Sequence, residues 1–151
     1  MIKTNNINSL SRFLNPKNVV VIGGGVWGKS IVFQLKKINF SGQIFAVHPS
    51  EVEFCGCETY QNVSDLPSSI DAAFVGVNRI ATVDIVSQLS KVECGGAVCF
   101  ASGYSEAVTE LKDGRDLQEA LIDAAGRMPI LGPNCYGLIN YFDNFCLWPD
   151  Q

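Results

Sequence analysis

The apolar run Asn18 to Ile22 (NVVVI) opens directly into Gly23-Gly24-Gly25-Val26-Trp27-Gly28, and no other segment restricts the fold as much. An uninterrupted β-branched run suits a strand buried on both faces, as in a parallel sheet. The glycines end it. From Lys29 the period changes, with Ile31, Leu35 and Ile38 forming one stripe of a helix. In a G-x-G-x-x-G segment set between strand and helix, each glycine has a mechanical use. The first permits a tight turn, the second lets backbone approach a phosphate, and the third lets helix pack closely on strand. The start of the helix then offers unpaired amides and the positive end of its dipole to an anion.

The same alternation continues along the chain. Gln43 to Val47 (QIFAV) reads as a second strand stopped by His48-Pro49-Ser50. Residues 51–70 form a connection with a small strand or turn near Tyr60 and a helical turn that Ser64 is expected to cap. Asp71 to Val77 (DAAFVGV) is the third main strand, and Ile80, Val83, Ile85, Val86 and Leu89 mark a helix ended by Gly95-Gly96. Ala97 to Ala101 is the fourth strand, Leu117, Leu121, Ile122 and Ala125 face a further helix, and Pro129 to Leu131 is the fifth strand. Strand and helix in strict alternation demand parallel strands joined by right-handed crossovers. The expectation is an α/β, Rossmann-type doubly wound sheet of five main parallel strands in order 3-2-1-4-5, with helices on both faces.

The ends of the chain carry further expectations. Leu10, Phe13 and Leu14 suit a short helix packed on the body, stopped at Asn15-Pro16. The stretch Tyr141 to Gln151 holds Phe142, Phe145, Leu147 and Trp148 but shows no closing element. Charged residues are a lean 17% of the chain, which hints at a surface covered by something else. Residues 1–151 are therefore read as one domain, the N-terminal part of a longer protein.

Charge and composition exclude several classes. The net charge is −4 and no basic run exceeds Lys36-Lys37, so no nucleic-acid surface is expected. No apolar stretch is long enough for a membrane span, and Met1 to Asn8 is polar, unlike a signal peptide. A cytoplasmic location follows as the expectation. Of the six cysteines, Cys55-Gly56-Cys57 is one residue short of a metal knuckle and has no second pair to complete it. Reduced thiols and no metal are expected.

The ligand is harder to read. A site for NAD wants a carboxylate at the end of the second strand, for the ribose hydroxyls. His48-Pro49-Ser50 stands there, with Glu51 and Glu53 in the loop beyond. A site for NADP wants an arginine, and none lies between Arg12 and Arg79. Both dinucleotide readings lose ground without falling.

Four segments belong together: Leu14-Asn15-Pro16-Lys17-Asn18-Val19-Val20-Val21-Ile22-Gly23, the pair His48-Pro49, Ser102-Gly103-Tyr104-Ser105-Glu106, and Gly132-Pro133-Asn134-Cys135-Tyr136-Gly137. Over about residues 10–148 the chain resembles the coenzyme A-binding domain of the NDP-forming acyl-CoA synthetases, relatives of the succinyl-CoA synthetase α subunit. The resemblance implies that Gly24, Gly25, Val26, Trp27 and Gly28 contact the phosphates or pantetheine of coenzyme A. It lays His48, Pro49 and Ser50 along the adenosine, and completes the crevice with Val77, Asn78, Arg79, Ala101, Ser102 and Gly103. Asn134 and Cys135 would sit near the reacting end.

It also implies partner domains or a subunit carrying a phosphohistidine and an ATP-grasp lobe. His48, the sole histidine, then remains a loop residue, and no catalytic residue is expected in this chain. Cys135 has no evident base to activate it. Asp113, Asp116, Glu119 and Asp123 read as a solvated acidic face. This chain departs from the family by having Ser50-Glu51 where a Lys or Arg often follows the second-loop proline, and by carrying Trp27; Arg79 and Lys29 are the candidates to supply the missing charge. Two other classes stay open: an NAD(P)-binding domain of an oxidoreductase, and a non-catalytic coenzyme A-sensing module.

Overall fold

A computed structural model describes residues 4–67 and 69–150, so the first three residues of the polar N-terminus lie outside the described residues. The elements are α1 (Thr4–Leu14), β1 (Asn18–Gly23), α2 (Gly25–Lys37), β2 (Gln43–Val47), β3 (Glu53–Phe54), β4 (Cys57–Tyr60), β5 (Ala72–Gly76), α3 (Arg79–Lys91), β6 (Ala97–Cys99), α4 (Gly114–Ala125), β7 (Ile130–Leu131), β8 (Leu138–Asn140) and β9 (Phe145–Leu147). A seven-stranded sheet runs β3-β4-β2-β1-β5-β6-β7, parallel throughout except for β3. Among the described residues, no helix is long and apolar enough to cross a membrane.

The sheet is buried from both sides. Val20 and Ile22 of β1 point into the layer beneath α3 and α4, beside Val86, Leu89 and Leu121. Val19 and Val21 point to the other layer, with Phe13, Ile31, Leu35 and Phe74. A strand apolar at every position is what this placement needs.

The strand order departs from expectation. The five main strands run 2-1-3-4-5, because β5 pairs with β1 (Val19↔Ala72 to Gly23↔Gly76) instead of lying outside β2. The outer place is taken by the short β4, whose mixed sequence CETY tolerates a partly exposed position. β5 is apolar throughout and requires the centre. Its start is pinned there by Asp71, whose carboxylate accepts from the Lys17 and Asn18 amides and from Arg12 Nε at 2.8–3.0 Å.

Three local expectations also change. Val63–Asp65 is a single 3₁₀ turn, and Ser64 supplies no cap to it. α3 ends at Lys91, ahead of Gly95-Gly96, whose missing Cβ atoms make room for the Asp71 carbonyl and the Phe13 ring. The C-terminal stretch is a structured antiparallel hairpin, β8–β9, rather than a run without a closing element. Its Phe145 and Leu147 are fully buried in the layer containing α2.

Cys55-Gly56 is the turn of the β3–β4 hairpin. Both residues have positive φ (54° and 74°), the geometry of a two-residue type I′ loop. Lys36 Nζ donates to the Cys55 carbonyl at 2.9 Å and ties that turn to the last turn of α2.

Candidate functional site

β1 and β5 are the central neighbours, and their onward connections leave on opposite faces: α2 on one, α3 on the other. A crevice opens at such a point beyond the carboxyl ends of the strands, where ligands of open α/β sheets bind.

Its floor is glycine. Gly23, Gly24 and Gly25 all have positive φ (63°, 85° and 50°). A Cβ on Gly24 would stand 2.9 Å from the Gly28 nitrogen, and one on Gly76 would stand 2.6 Å from the Gly24 Cα. A Cβ on Gly28 would collide with the Gly23 carbonyl oxygen, which is the close helix-on-strand approach expected of the third glycine. Gly25 differs from all of these. Nothing lies within 4 Å of where its Cβ would be, so its backbone faces open space at the start of α2. The amides of Trp27 and Gly28 close back on the Gly24 carbonyl (2.9 and 3.2 Å).

The G-P-N-C loop is strapped across the neighbouring strand ends. The Asn134 amide donates to the Ala101 carbonyl at 2.9 Å, and the Cys135 amide to the Cys99 carbonyl at 3.2 Å. An aromatic chain joins this loop to the glycine turn: Trp27 lies 5.7 Å from Phe100 and 6.5 Å from Tyr136, and Tyr136 packs on Trp148 at 4.9 Å. Trp27 therefore packs on the sheet end while staying 45% exposed.

The third-strand segment is engaged in holding the wall together. Asn78 Oδ1 caps α3 by accepting from the Ile80 and Ala81 amides. Arg79 makes a two-pronged pair with Asp113, 2.8 Å at its shortest, and also donates to the Gly103 carbonyl. Asp113 is thus not part of a freely solvated acidic face. Its hydrogen bonds from Arg79 hold its carboxyl below the usual range. Buried Tyr104 donates its hydroxyl to the Arg79 carbonyl at 2.7 Å. Burial works against ionised Glu106, yet the amides of Gly103 and Tyr104 outweigh it and lower its pKa.

His48 closes the other side. Its Nδ1 accepts from the Ser50 and Glu51 amides at 3.3 and 3.1 Å, which leaves the ring proton on Nε2. The ring stacks on Phe54 at 6.3 Å and 20°, and Nε2 lies 3.9 Å from Glu51 Oε1. Pro49 and Ser50 are exposed beside it.

The residues that the resemblance assigns to coenzyme A thus lie at the carboxyl ends of β1, β2, β5, β6 and β7. Sequence reasoning missed Gly76, Phe54 and Phe100, and it read Asp113 as part of a solvated face where the folded chain pairs it with Arg79. Only Gly76 carried a signal, since a glycine inside an apolar strand marks a close backbone approach. A groove of about 360 Å³ between the second half of α2 and the β8–β9 hairpin, lined in part by Gln34, Lys37, Tyr141 and Trp148, lies apart from this crevice.

The thiols divide by burial. Cys94 and Cys99 are buried and their pKa values are pushed up to about 12, chiefly by desolvation. Cys55 is exposed and Cys135 half-exposed. An alkylating reagent at about pH 8 is expected to modify Cys55 and Cys135 in the folded chain and to reach Cys94 and Cys99 only after unfolding, as read by mass spectrometry. Rapid native labelling of Cys99 would contradict that burial. Because the folded values lie above the ordinary 9.0, the stability these two thiols contribute is complete below that value. It is lost as the pH rises through the folded values near 12.

The sequence pattern of one protein family, described as CoA binding domain, matches residues 17–141. The chain belongs to that family. The coenzyme A-binding domain is similar to parts of much longer proteins. It is 39% identical to trans-feruloyl-CoA synthase FCS1 of an unidentified prokaryote, over 89% of this chain and 19% of that protein. It is 34% identical to acetate–CoA ligase [ADP-forming] I of Archaeoglobus fulgidus, over 87% of this chain and 19% of that one. Among solved structures, the dinucleotide-forming acetyl-coenzyme A synthetase 1 of Candidatus Korarchaeum cryptofilum, in complex with phosphate and ADP, superposes with a TM-score of 0.81 at 27% identity. That match covers 91% of this chain and 30% of the synthetase. Prephenate dehydrogenase from A. aeolicus with bound NAD+ shares the fold alone, at a TM-score of 0.59 and 17% identity. The chain spans about a fifth of the length of the curated relatives it matches.

Proposed function

We propose that this domain binds coenzyme A along the carboxyl ends of its parallel strands and positions it for an NDP-forming acyl-CoA synthetase. In that reaction a carboxylic acid, coenzyme A and a nucleoside triphosphate give the acyl thioester, NDP and phosphate. The observation that carries the reading is the open backbone at Gly25. It combines a helix start, positive φ and unfilled space in a chain whose family is defined by coenzyme A binding. The diphosphate sits over the first-turn amides of Gly25 and Val26, where helix dipole and N–H groups both favour an anion. Adenosine lies towards His48, Pro49 and Ser50, and pantetheine runs past Val77, Ala101, Ser102 and Gly103 towards Asn134 and Cys135. Asn78 and Arg79 support this wall through the cap and the Asp113 pair.

Within this reading the chain supplies no acid, base or nucleophile. Its contribution is to hold the coenzyme so that its thiol meets an acyl donor presented by other domains or a partner subunit, which bring the phosphohistidine and the nucleotide-grasping lobe. Such a reaction belongs to the cytoplasm.

Calorimetric titration of the chain with coenzyme A and with NADH tests the reading, with binding expected for coenzyme A. Binding of NADH alone would replace it with the oxidoreductase alternative. Gly25→Ala sharpens the test. It introduces a side chain at φ 50° with no steric clash inside the protein, at a cost of about 1 kcal/mol. Its methyl group stands where the phosphate approaches, so affinity for coenzyme A is expected to fall at least about tenfold. Unchanged affinity in a folded G25A chain would move the phosphates elsewhere.

A further inference from the structure

Coenzyme A carries a diphosphate and a separate 3′-phosphate on its ribose, so a crevice that takes it must set positive charge against two places. Arg79 is spent on Asp113 and on the Gly103 carbonyl, on the β6 side of the crevice. Lys36 donates to the Cys55 carbonyl at the far end of α2. Lys29 stands otherwise. It is exposed, one turn into α2, with Nζ 5.9 Å from the centre of the Phe54 ring. His48 stacks on that same ring. Phe54 thus joins the lysine to the loop at the end of β2, and in sheets of this topology the ribose lies at the end of the second strand.

The loop itself is poorly equipped for a phosphate. Its charged group is Glu51, whose carboxylate faces His48 Nε2 at 3.9 Å. The Ser50 and Glu51 amides, which elsewhere would serve an anion, are already taken by His48 Nδ1.

We infer that Lys29, reaching across Phe54 towards His48, neutralises the 3′-phosphate and makes the chain select coenzyme A over its 3′-dephospho form. This inference rests on the coenzyme A reading above. A lysine on a flexible stem serves here as a point charge, and its contact is charge-assisted. Glu51 works against it, which keeps the selectivity moderate.

The test titrates the whole chain with coenzyme A and with 3′-dephospho-coenzyme A at low ionic strength, where surface charge is least screened. Wild type is expected to prefer coenzyme A by about tenfold. Lys29→Gln should remove that preference by weakening coenzyme A binding alone, Lys29→Arg should keep most of it, and Glu51→Gln should widen it. A thermal melt checks that each variant is folded. Equal weakening of both ligands by K29Q, or no weakening of either, overturns the inference, as does a wild type that binds both ligands equally. A wild type that binds neither ligand overturns the coenzyme A reading itself.

Discussion

Gly28→Ala is expected to destabilise the domain by about 3 kcal/mol or more, enough to lower its melting temperature by roughly 10 °C. The added methyl would enter the space of the Gly23 carbonyl oxygen, with the Phe54 ring and a Val21 methyl each 3.3 Å away on other sides. A backbone carbonyl has no rotamer to retreat into. Relief requires α2 to move off β1, which opens the layer where Ile31, Val32 and Leu35 are buried. Gly24 is bound to the same contact, since its own missing Cβ faces the Gly28 nitrogen. A thermal melt of G28A beside G25A makes the comparison internal: one methyl meets backbone and the other meets space. A G28A chain melting within about 2 °C of wild type would show that helix and strand are less closely apposed than described.

Phe145→Ala should cost about as much, roughly 3–5 kcal/mol. Phe145 is fully buried in the layer formed with α2, and its ring lies 5.9 Å from Phe40. Truncation leaves a void that the short β8–β9 hairpin, three residues a side, has little means to refill. Chemical denaturation should show the loss as a lower midpoint with an unchanged slope. A loss below about 1 kcal/mol would mean that the hairpin rests on the body without being part of its core. Phe142, 99% exposed two residues beyond β8, provides the control, since its replacement by alanine removes no core contact.

These two positions show what the sequence discloses and what it hides. Gly28 was legible because its constraint is local: a glycine at fixed spacing after an apolar strand has few other uses. The family, too, was legible, since the G-P-N-C-Y-G segment and the glycine turn are contiguous words. Phe145 was not. Its role depends on a hairpin of three-residue strands folding back onto α2, and short strands carry almost no periodic signal. The order of strands failed for a related reason. Alternation of strand and helix demands parallel pairing but does not say on which side of β1 the third main strand lies. That was decided by the Asp71 carboxylate reaching the Lys17 and Asn18 amides, a contact between residues more than fifty apart. Asp113 misled in the same way, since one acid among four on a helix shows nothing of the arginine it grips until the chain is folded.

The margins of the large sheet carry a consequence of their own. At one side the last strand is β3, two residues long, antiparallel, and turned by Cys55-Gly56; at the other it is β7, also two residues long, followed by Gly132-Pro133. A neighbouring molecule seeking to extend the ladder meets at most a couple of backbone groups, and at the second margin a proline with no N–H to donate. The interior of this protein is a set of strands apolar enough to aggregate, and these abrupt borders give them no template on which to polymerise.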